Sequence, residues 1–199
     1  QALRDAGVDT AVSELGTLAV MGREQGLKTV ISSGDKDLAQ LVNDDALLTD
    51  TMNGKRRDVA GVQAEFGVTP AQMLDFQTLM GDAIDNVPGV AKVGPKTAAK
   101  WLAEYGTLAN IIANHDKSKG AVGENLRAAL DWLPKGQELL KIKIDCELDE
   151  HIPGLPQLNA LSSREQQTAA LRDFYTQYGF KGLAAKLGGA SQQPAGKAA

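Results

Sequence analysis

The sequence predicts an α/β layer with a partly parallel sheet that gives way to a helical second part. Three observations carry this. A helical stretch, Ser13 to Gln25, runs into a short β-branched stretch, Leu27 to Ser32, and the alternation then repeats with DKDLAQLV and Ala46 to Thr51. From Val59 onward the apolar spacing is almost wholly helical. Two glycine turns, Pro88-Gly89 and Gly94-Pro95, interrupt those helices and make a hairpin between them.

The first helix is expected to bury Leu15, Leu18, Ala19 and Met21 and to stop at Gly26. Leu27 to Ser32 reads as a buried strand, and Asn53 to Lys55 as a turn after the second strand. Val59 to Phe66 reads as helix. Thr69-Pro70 is a helix start, a hydroxyl N-cap followed by proline at the first helical position. The helix it opens should bury Met73, Phe76, Leu79 and Met80. Further helices are expected at Thr97 to Tyr105, Val122 to Trp132, Gly136 to Ile144 and Ser163 to Tyr178. Trp101, Trp132, Phe174 and Tyr178 are read as core. The tail from Gly188 to Ala199 is small and polar, a linker composition after which a further domain is expected.

Composition narrows the function classes. The chain has 199 residues, 43% hydrophobic and 23% charged, ordinary for a globular protein. It has no apolar run of the roughly 18 residues that a membrane helix needs, and no export signal pattern. It begins at Gln1 without Met and reads as a piece of something longer. Cys146 is the lone cysteine, which excludes an internal disulfide and suits a reducing cytoplasm. Aromatic residues are 5%, too few for a single-strand stacking platform. His115 and His151 show no metal-ligand spacing. The net charge of −4 is not that of a typical nucleic-acid binder, yet it is uneven. Acids crowd the stretch Asp35 to Asp50, whereas Lys92, Lys96 and Lys100 recur every four residues with no acid among them. Such lysines fit a polyanion site or simply a solvated helix face.

Three constellations could carry chemistry. In Ser32-Ser33-Gly34-Asp35-Lys36-Asp37, Asp35 and Asp37 follow a strand end, where open α/β sheets bind ligands, and an extended chain would send both side chains to one side. Hard carboxylate oxygens suit Mg²⁺ or Mn²⁺. An Asx turn with a helix N-cap explains the same residues equally. In Gly81-Asp82-Ala83-Ile84-Asp85-Asn86, a spacing of three puts Asp82 and Asp85 on one face if the segment is helical. Acids at a helix C-terminus oppose the macrodipole and call for a compensating cation, unless this is only a helix running into a polar loop. In Val87 to Ala98, Gly89 and Gly94 allow close backbone approach to a phosphate, and the following helix start favours an anion. A plain helix connection is the alternative.

Taken in this order, the elements resemble the 5′-nuclease domain of bacterial DNA polymerase I, within the wider flap endonuclease family. The likeness runs from about Gly16 to Phe180. It is sharpest in SSGDKDLAQLV, in FGVTPAQMLDFQTLMGDAIDNVPGVAKVGPKTAAKWLAEYG, in LKIKIDCELD and in YGFK. The resemblance implies a metal-dependent 5′–3′ exonuclease and flap endonuclease of replication and repair, cytoplasmic and nucleoid-associated in a bacterium. It implies a helix-hairpin-helix motif holding duplex DNA at a nick or 5′ flap through Gly89, Val90, Lys92, Gly94, Lys96, Thr97 and Lys100, in some members with K⁺ on its backbone carbonyls. Asp37, Asp82 and Asp85 would belong to one Mg²⁺ or Mn²⁺ site and Asp35 to the other. Residues 1–58 would be the C-terminal part of the nuclease core, 59–187 the helical DNA-binding region, and 188–199 a linker to polymerase domains.

The sequence also departs from the family pattern. Where the family carries a Glu-Ala-Asp-Asp cluster, this chain reads GVDTAVSELGTLAV, so Asp9 stands for the glutamate while Ala11 and Val12 replace the next two acids. A stripped second metal site is therefore expected. The rival reading is a duplex-binding module with impaired chemistry, and a third is an α/β domain whose glycine turns are structural.

Overall fold

A computed structural model describes residues 10–148 and 167–188. The chain divides into two compact units, Gln1–Leu148 and Asp149–Ala199, so residue 58 lies inside the first of them.

In the first unit, α1 (Thr10–Glu24) precedes β1 (Thr29–Ser32), and a 3₁₀ turn (Asp37–Leu41) leads to β2 (Ala46–Asp50). β1 and β2 are parallel, with Thr29 opposite Ala46 and Ser32 opposite Thr49. β3 (Lys55–Arg57) returns antiparallel to β2. The partly parallel sheet is as the alternation predicts. β1 is not the buried strand expected, because only Ile31 faces the core while Val30 is 62% exposed. The period-two geometry of a strand covered on one face produces this pattern.

α1 also differs from expectation. Leu15 is exposed, and Ser13, Gly16, Thr17 and Ala19 form the buried side. The residues after the last helix of this unit lie too close for a leucine face. A Cβ on Gly16 would stand 2.7 Å from Ile142 Cγ2, and the Cys146 amide donates to Thr17 Oγ1 at 3.0 Å.

α2 (Val59–Phe66) starts at Asp58, whose carboxylate accepts from the Gly61 amide at 2.8 Å, and ends at Gly67 in the left-handed region with φ 75°. Glu65 ties it back to β3 by accepting from Arg57 Nε at 2.7 Å and pairing with Lys55 at 2.6 Å. A 3₁₀ turn (Pro70–Gln72) then enters α3 (Met73–Met80) through a capping box between Thr69 and Gln72.

α3 is the axis of the helical part, with Met73, Phe76 and Leu79 buried as predicted. Its N-cap Gln72 and its Asp75 bind its neighbours. Gln72 Nε2 donates to the carbonyls of Leu102 and Gly106, at the end of α4 (Pro95–Tyr105). Asp75 accepts from the Leu108 amide at 2.8 Å, at the start of α5 (Leu108–Ala113), and from Gln137 Nε2 at 2.6 Å, in α7 (Leu133–Leu140). Between these lie a 3₁₀ turn (His115–Lys117) and α6 (Gly120–Ala129).

The helices expected at Thr97, Val122 and Gly136 each start earlier, at Pro95, Gly120 and Leu133, and the last two also stop earlier. Proline in the first turn sets the starts of α4 and α7. α7 stops at Leu140 because the chain leaves to pack on α1. α5 was not anticipated. Its sign is Thr107, whose side chain accepts from the Asn110 amide. Ala19, Ile31, Leu38, Leu48, Val62, Met73, Phe76, Leu102, Ile111, Leu126 and Leu133 join in one core that binds the sheet layer to the helices.

In the second unit the described elements are α8 (Thr168–Gln177) and α9 (Lys181–Gly188). Phe174 and Tyr178, expected in a core, are 49% and 60% exposed and pack on each other at 4.7 Å between ring centroids. The two described helices alone offer too little surface to enclose them. The start of the expected helix, residues 163–166, and the tail after residue 188 lie outside the described residues.

Candidate metal centre and adjoining hairpin

α3 ends because Gly81 takes φ 77°, which turns the chain out of the helix. The next residues form a small ribbon, β4 (Gly81–Asp82) against β5 (Val87–Pro88), with Asp85 in the loop between them. Asp82 and Asp85 thus meet across a tight turn rather than along a helix. Asp82 Oδ1 accepts from the Ile84 amide at 2.8 Å and from the Asp85 amide at 3.4 Å. Asp35 and Asp37 are likewise in a turn and not in extended chain, since Asp35 Oδ1 accepts from the Asp37 amide at 2.9 Å. The Asx-turn explanation of that pair holds, and it also aims Asp37 at the ribbon.

Asp37, Asp82 and Asp85 each present an oxygen within 4.8 Å of the others. Opposite ligands of a cation with bonds of about 2.1 Å stand about 4.2 Å apart, so small adjustments would close this trio on Mg²⁺ or Mn²⁺. The donor set, carboxylate oxygens alone, has the hardness these ions prefer. Asp35 stands outside the trio and acts on it through its charge. Asp9 lies outside the described residues.

The electrostatics are those of an anion excess. Burial pushes the Asp37 carboxyl up to about 6, and the charges of Asp35, Asp82 and Asp85 add to this against the pull of Lys36. Burial also acts upward on Asp82, which is 4% exposed, but hydrogen bonds from Lys36 and the Ile84 amide win and hold it below the usual carboxylate range. Lys36 Nζ is ion-paired with Asp82 Oδ2. Burial opposes its charge, yet Asp82, Asp37 and Asp35 raise its pKa overall.

The sequence reading missed Lys36 and two amides. Gln77, 2% exposed on α3, donates from Nε2 to Asp37 Oδ1. Its carbonyl accepts from Gln40 Nε2 at 2.8 Å. Gln77 lies four residues after Met73 and three before Met80, and that spacing alone marks it as a polar residue on the buried face.

The ribbon leads directly into the hairpin. A Cβ on Gly81 would lie 2.6 Å from the Val87 carbonyl oxygen, and one on Gly89 2.5 Å from that of Met80, so the ribbon itself requires both glycines. Val90 is buried, and its amide donates to the Leu79 carbonyl at 2.8 Å. Lys92 is exposed with φ 64°. Gly94 caps α4, its carbonyl accepting from the Thr97 and Ala98 amides, both at 3.0 Å, and a Cβ there meets no atom within 4 Å. Lys96 and Lys100 are exposed on α4, and Thr97 is half-buried. Two side chains fix the turn from outside. Asn125 donates to the Ala91 carbonyl at 2.8 Å, and Trp132 Nε1 donates to the Pro88 carbonyl at 2.6 Å. Trp132 is therefore a half-buried support of the hairpin.

Known proteins are similar to this chain. Residues 68–162 match the family described as 5′–3′ exonuclease, C-terminal SAM fold. DNA polymerase I of Pseudomonas aeruginosa is 41% identical over 159 residues, 74% of this chain and 17% of that protein. DNA polymerase I of Mycobacterium tuberculosis is 39% identical over 138 residues, 67% of this chain and 15% of that protein. The chain thus spans only about a sixth of the length of such relatives. Among solved structures, the D15 protein of bacteriophage T5 superposes with a TM-score of 0.63 at 20% identity, over 67% of this chain and 51% of that one. Over residues 68–162 the chain thus matches the 5′–3′ exonuclease C-terminal SAM fold family, and it is similar to a segment of bacterial DNA polymerase I.

Proposed function

We propose that this chain is the metal-binding and duplex-binding part of a 5′–3′ exonuclease and flap endonuclease acting on DNA in replication and repair, within a polymerase I-like parent protein of the bacterial cytoplasm. The carrying observation is the trio Asp37, Asp82 and Asp85, brought from two distant segments to within 4.8 Å and joined through β5 to a glycine hairpin. The T5 5′-exonuclease, which shares the fold, has been solved with divalent zinc ions bound, and the T5 flap endonuclease in a complex with DNA and metal ions.

When bound, Mg²⁺ or Mn²⁺ supplies Lewis acidity and lowers the pKa of a coordinated water. The protein's own part is to hold and orient. Asp37, Asp82 and Asp85 offer the oxygens, and Asp35 adds negative charge beside them. Gly94 leaves open space at the head of α4, and Lys92, Lys96 and Lys100 line its approach, so a phosphate backbone can come close without its bases being read. K⁺ on the hairpin carbonyls is part of the same reading.

A second reading has its own observation. Lys36 already neutralises Asp82, and Val12, at a position where the family pattern has an acid, packs against the core. A chain so arranged binds duplex with weakened chemistry. A 5′-flap cleavage assay in Mg²⁺, paired with binding in Ca²⁺, separates the two. We expect weak binding and little cleavage from this chain in isolation. Cleavage at the rate of an intact family domain would overturn the second reading, and absence of any duplex binding would overturn both.

A further inference from the structure

A directed chain of amide hydrogen bonds reaches Asp37 from the far side of the helical part. At its outer end the main chain sets the polarity. The Leu140 carbonyl can only accept, and it takes a hydrogen bond from Gln40 Nε2 at 2.9 Å. The Ile142 amide can only donate, and it points at Gln40 Oε1 at 3.5 Å. Between them these two groups determine which end of the Gln40 amide is nitrogen. Gln40 Nε2 is shared with Gln77 Oε1 at 2.8 Å, so Gln77 must turn its own nitrogen the other way, toward Asp37 Oδ1. Gln77 is 2% exposed, which leaves no solvent to satisfy a flipped amide.

From this geometry we infer that Gln77 is a positioning residue for the candidate metal centre, and that Gln40 and the backbone at Leu140 and Ile142 set its orientation. The inference rests on the metal reading above and goes beyond it by assigning roles to residues outside the carboxylate set. An N–H presented to Asp37 fixes the plane of the carboxylate and occupies one of its oxygens, so the other is the one offered to a cation. A flipped Gln77 would present a carbonyl oxygen to a carboxylate oxygen, a repulsive contact inside a buried site. The residue also joins the end of α7 to the metal centre, although no carboxylate of the trio lies on that helix.

The test is direct Mn²⁺ binding to the whole chain near pH 7.5, by calorimetry or from the electron paramagnetic signal of free Mn²⁺, with thermal unfolding measured alongside. Gln77→Met keeps length and burial but removes the donor, and it should weaken Mn²⁺ binding about tenfold, the usual scale for a lost partner of a metal ligand. Gln40→Glu touches no member of the trio. Its new carboxylate cannot donate to Gln77 and should flip that amide, weakening Mn²⁺ about three- to tenfold. Ile111→Val, a core change far along the chain, should lower the melting temperature and leave Mn²⁺ affinity unchanged, which separates positioning from general stability. Asp82→Asn reports on the metal reading itself. If it leaves Mn²⁺ binding intact, the metal centre and this inference fail together. If it abolishes binding while Gln77→Met or Gln40→Glu binds Mn²⁺ as tightly as the parent chain, the amide chain is overturned and the metal centre stands.

Discussion

The carboxylate trio and the hairpin are adjoining sites built on opposite plans. The trio comes from two segments far apart in sequence, and burial together with the surrounding carboxylates pushes Asp37 up to about 6. The hairpin is one continuous stretch tied to the fold through its backbone, by Leu79, Asn125 and Trp132 among others. The first is held in an unfavourable electrostatic state by the surrounding fold, whereas the second is itself part of what keeps the fold together. Damage to the closely packed turn at Gly89 should therefore destabilise the protein, and neutralising Asp37 should not.

The largest expected effect is at Gly89. Gly89→Val drives a side chain into the Met80 carbonyl and should cost about 4 kcal/mol or more in urea unfolding, since backbone on both sides must move. Gly94→Val meets open space and should cost no more than about 1 kcal/mol, that of a poorer N-cap, while weakening binding to all duplex sequences alike. A Gly94 variant that unfolds, or loses only some sequences, would erase the contrast within the hairpin.

Next is Lys36. Asp82 has a lowered pKa, so its pairing contributes stability that is present above about pH 4 and lost as pH falls through the folded value. Lys36→Met leaves that buried carboxylate without its cation. The cost should be about 2 kcal/mol at pH 7.5 after allowance for the exposed lysine, vanishing in acid and reduced by saturating Mn²⁺. Equal unfolding curves at pH 7.5 would mean that the pair carries no stability.

Asp37 should behave in the opposite sense. Its raised pKa means that the folded state holds the proton more tightly than the unfolded chain does. The resulting penalty is absent below about pH 4, grows toward pH 6 and is complete above it. Asp37→Asn should therefore stabilise the metal-free protein by about 1–2 kcal/mol at pH 7.5 and not at pH 4, while Mn²⁺ binding is lost. Destabilisation at pH 7.5 would contradict the anion excess. The smallest effect is at Lys96, where Lys96→Ala should flatten the logarithmic salt dependence of duplex binding by about 0.9 of a unit. An unchanged slope would take Lys96 out of phosphate contact.

What could be read from the sequence follows the same division. Features set by local chemistry were legible, such as the Thr69-Pro70 helix start, the parallel order of the first two strands, and the buried face Met73, Phe76 and Leu79. The meeting of Asp37 with Asp82 was legible only through the family pattern, because two turns and a ribbon create it, not the helical or extended spacing first read from the residues. Leu15 was misread because a segment over a hundred residues away occupies the face it would have taken. Gln77 and Gln40 escaped because an amide gains meaning from what it faces, and neither partner is near it in sequence.

Two polar residues at the start of α3, its N-cap Gln72 and Asp75 in its first turn, have a consequence for how the molecule opens. Gln72 holds the end of α4, while Asp75 holds the start of α5 and the middle of α7. A helix terminus normally frays independently of its neighbours. Here the end of α4, the start of α5 and the middle of α7 are all tied to Gln72 and Asp75, so α3, α4, α5 and α7 should exchange their amide hydrogens as a single cooperative block. Asp82, which directly follows Gly81, is thereby anchored to that block, and the candidate metal centre should share the block's kinetic persistence.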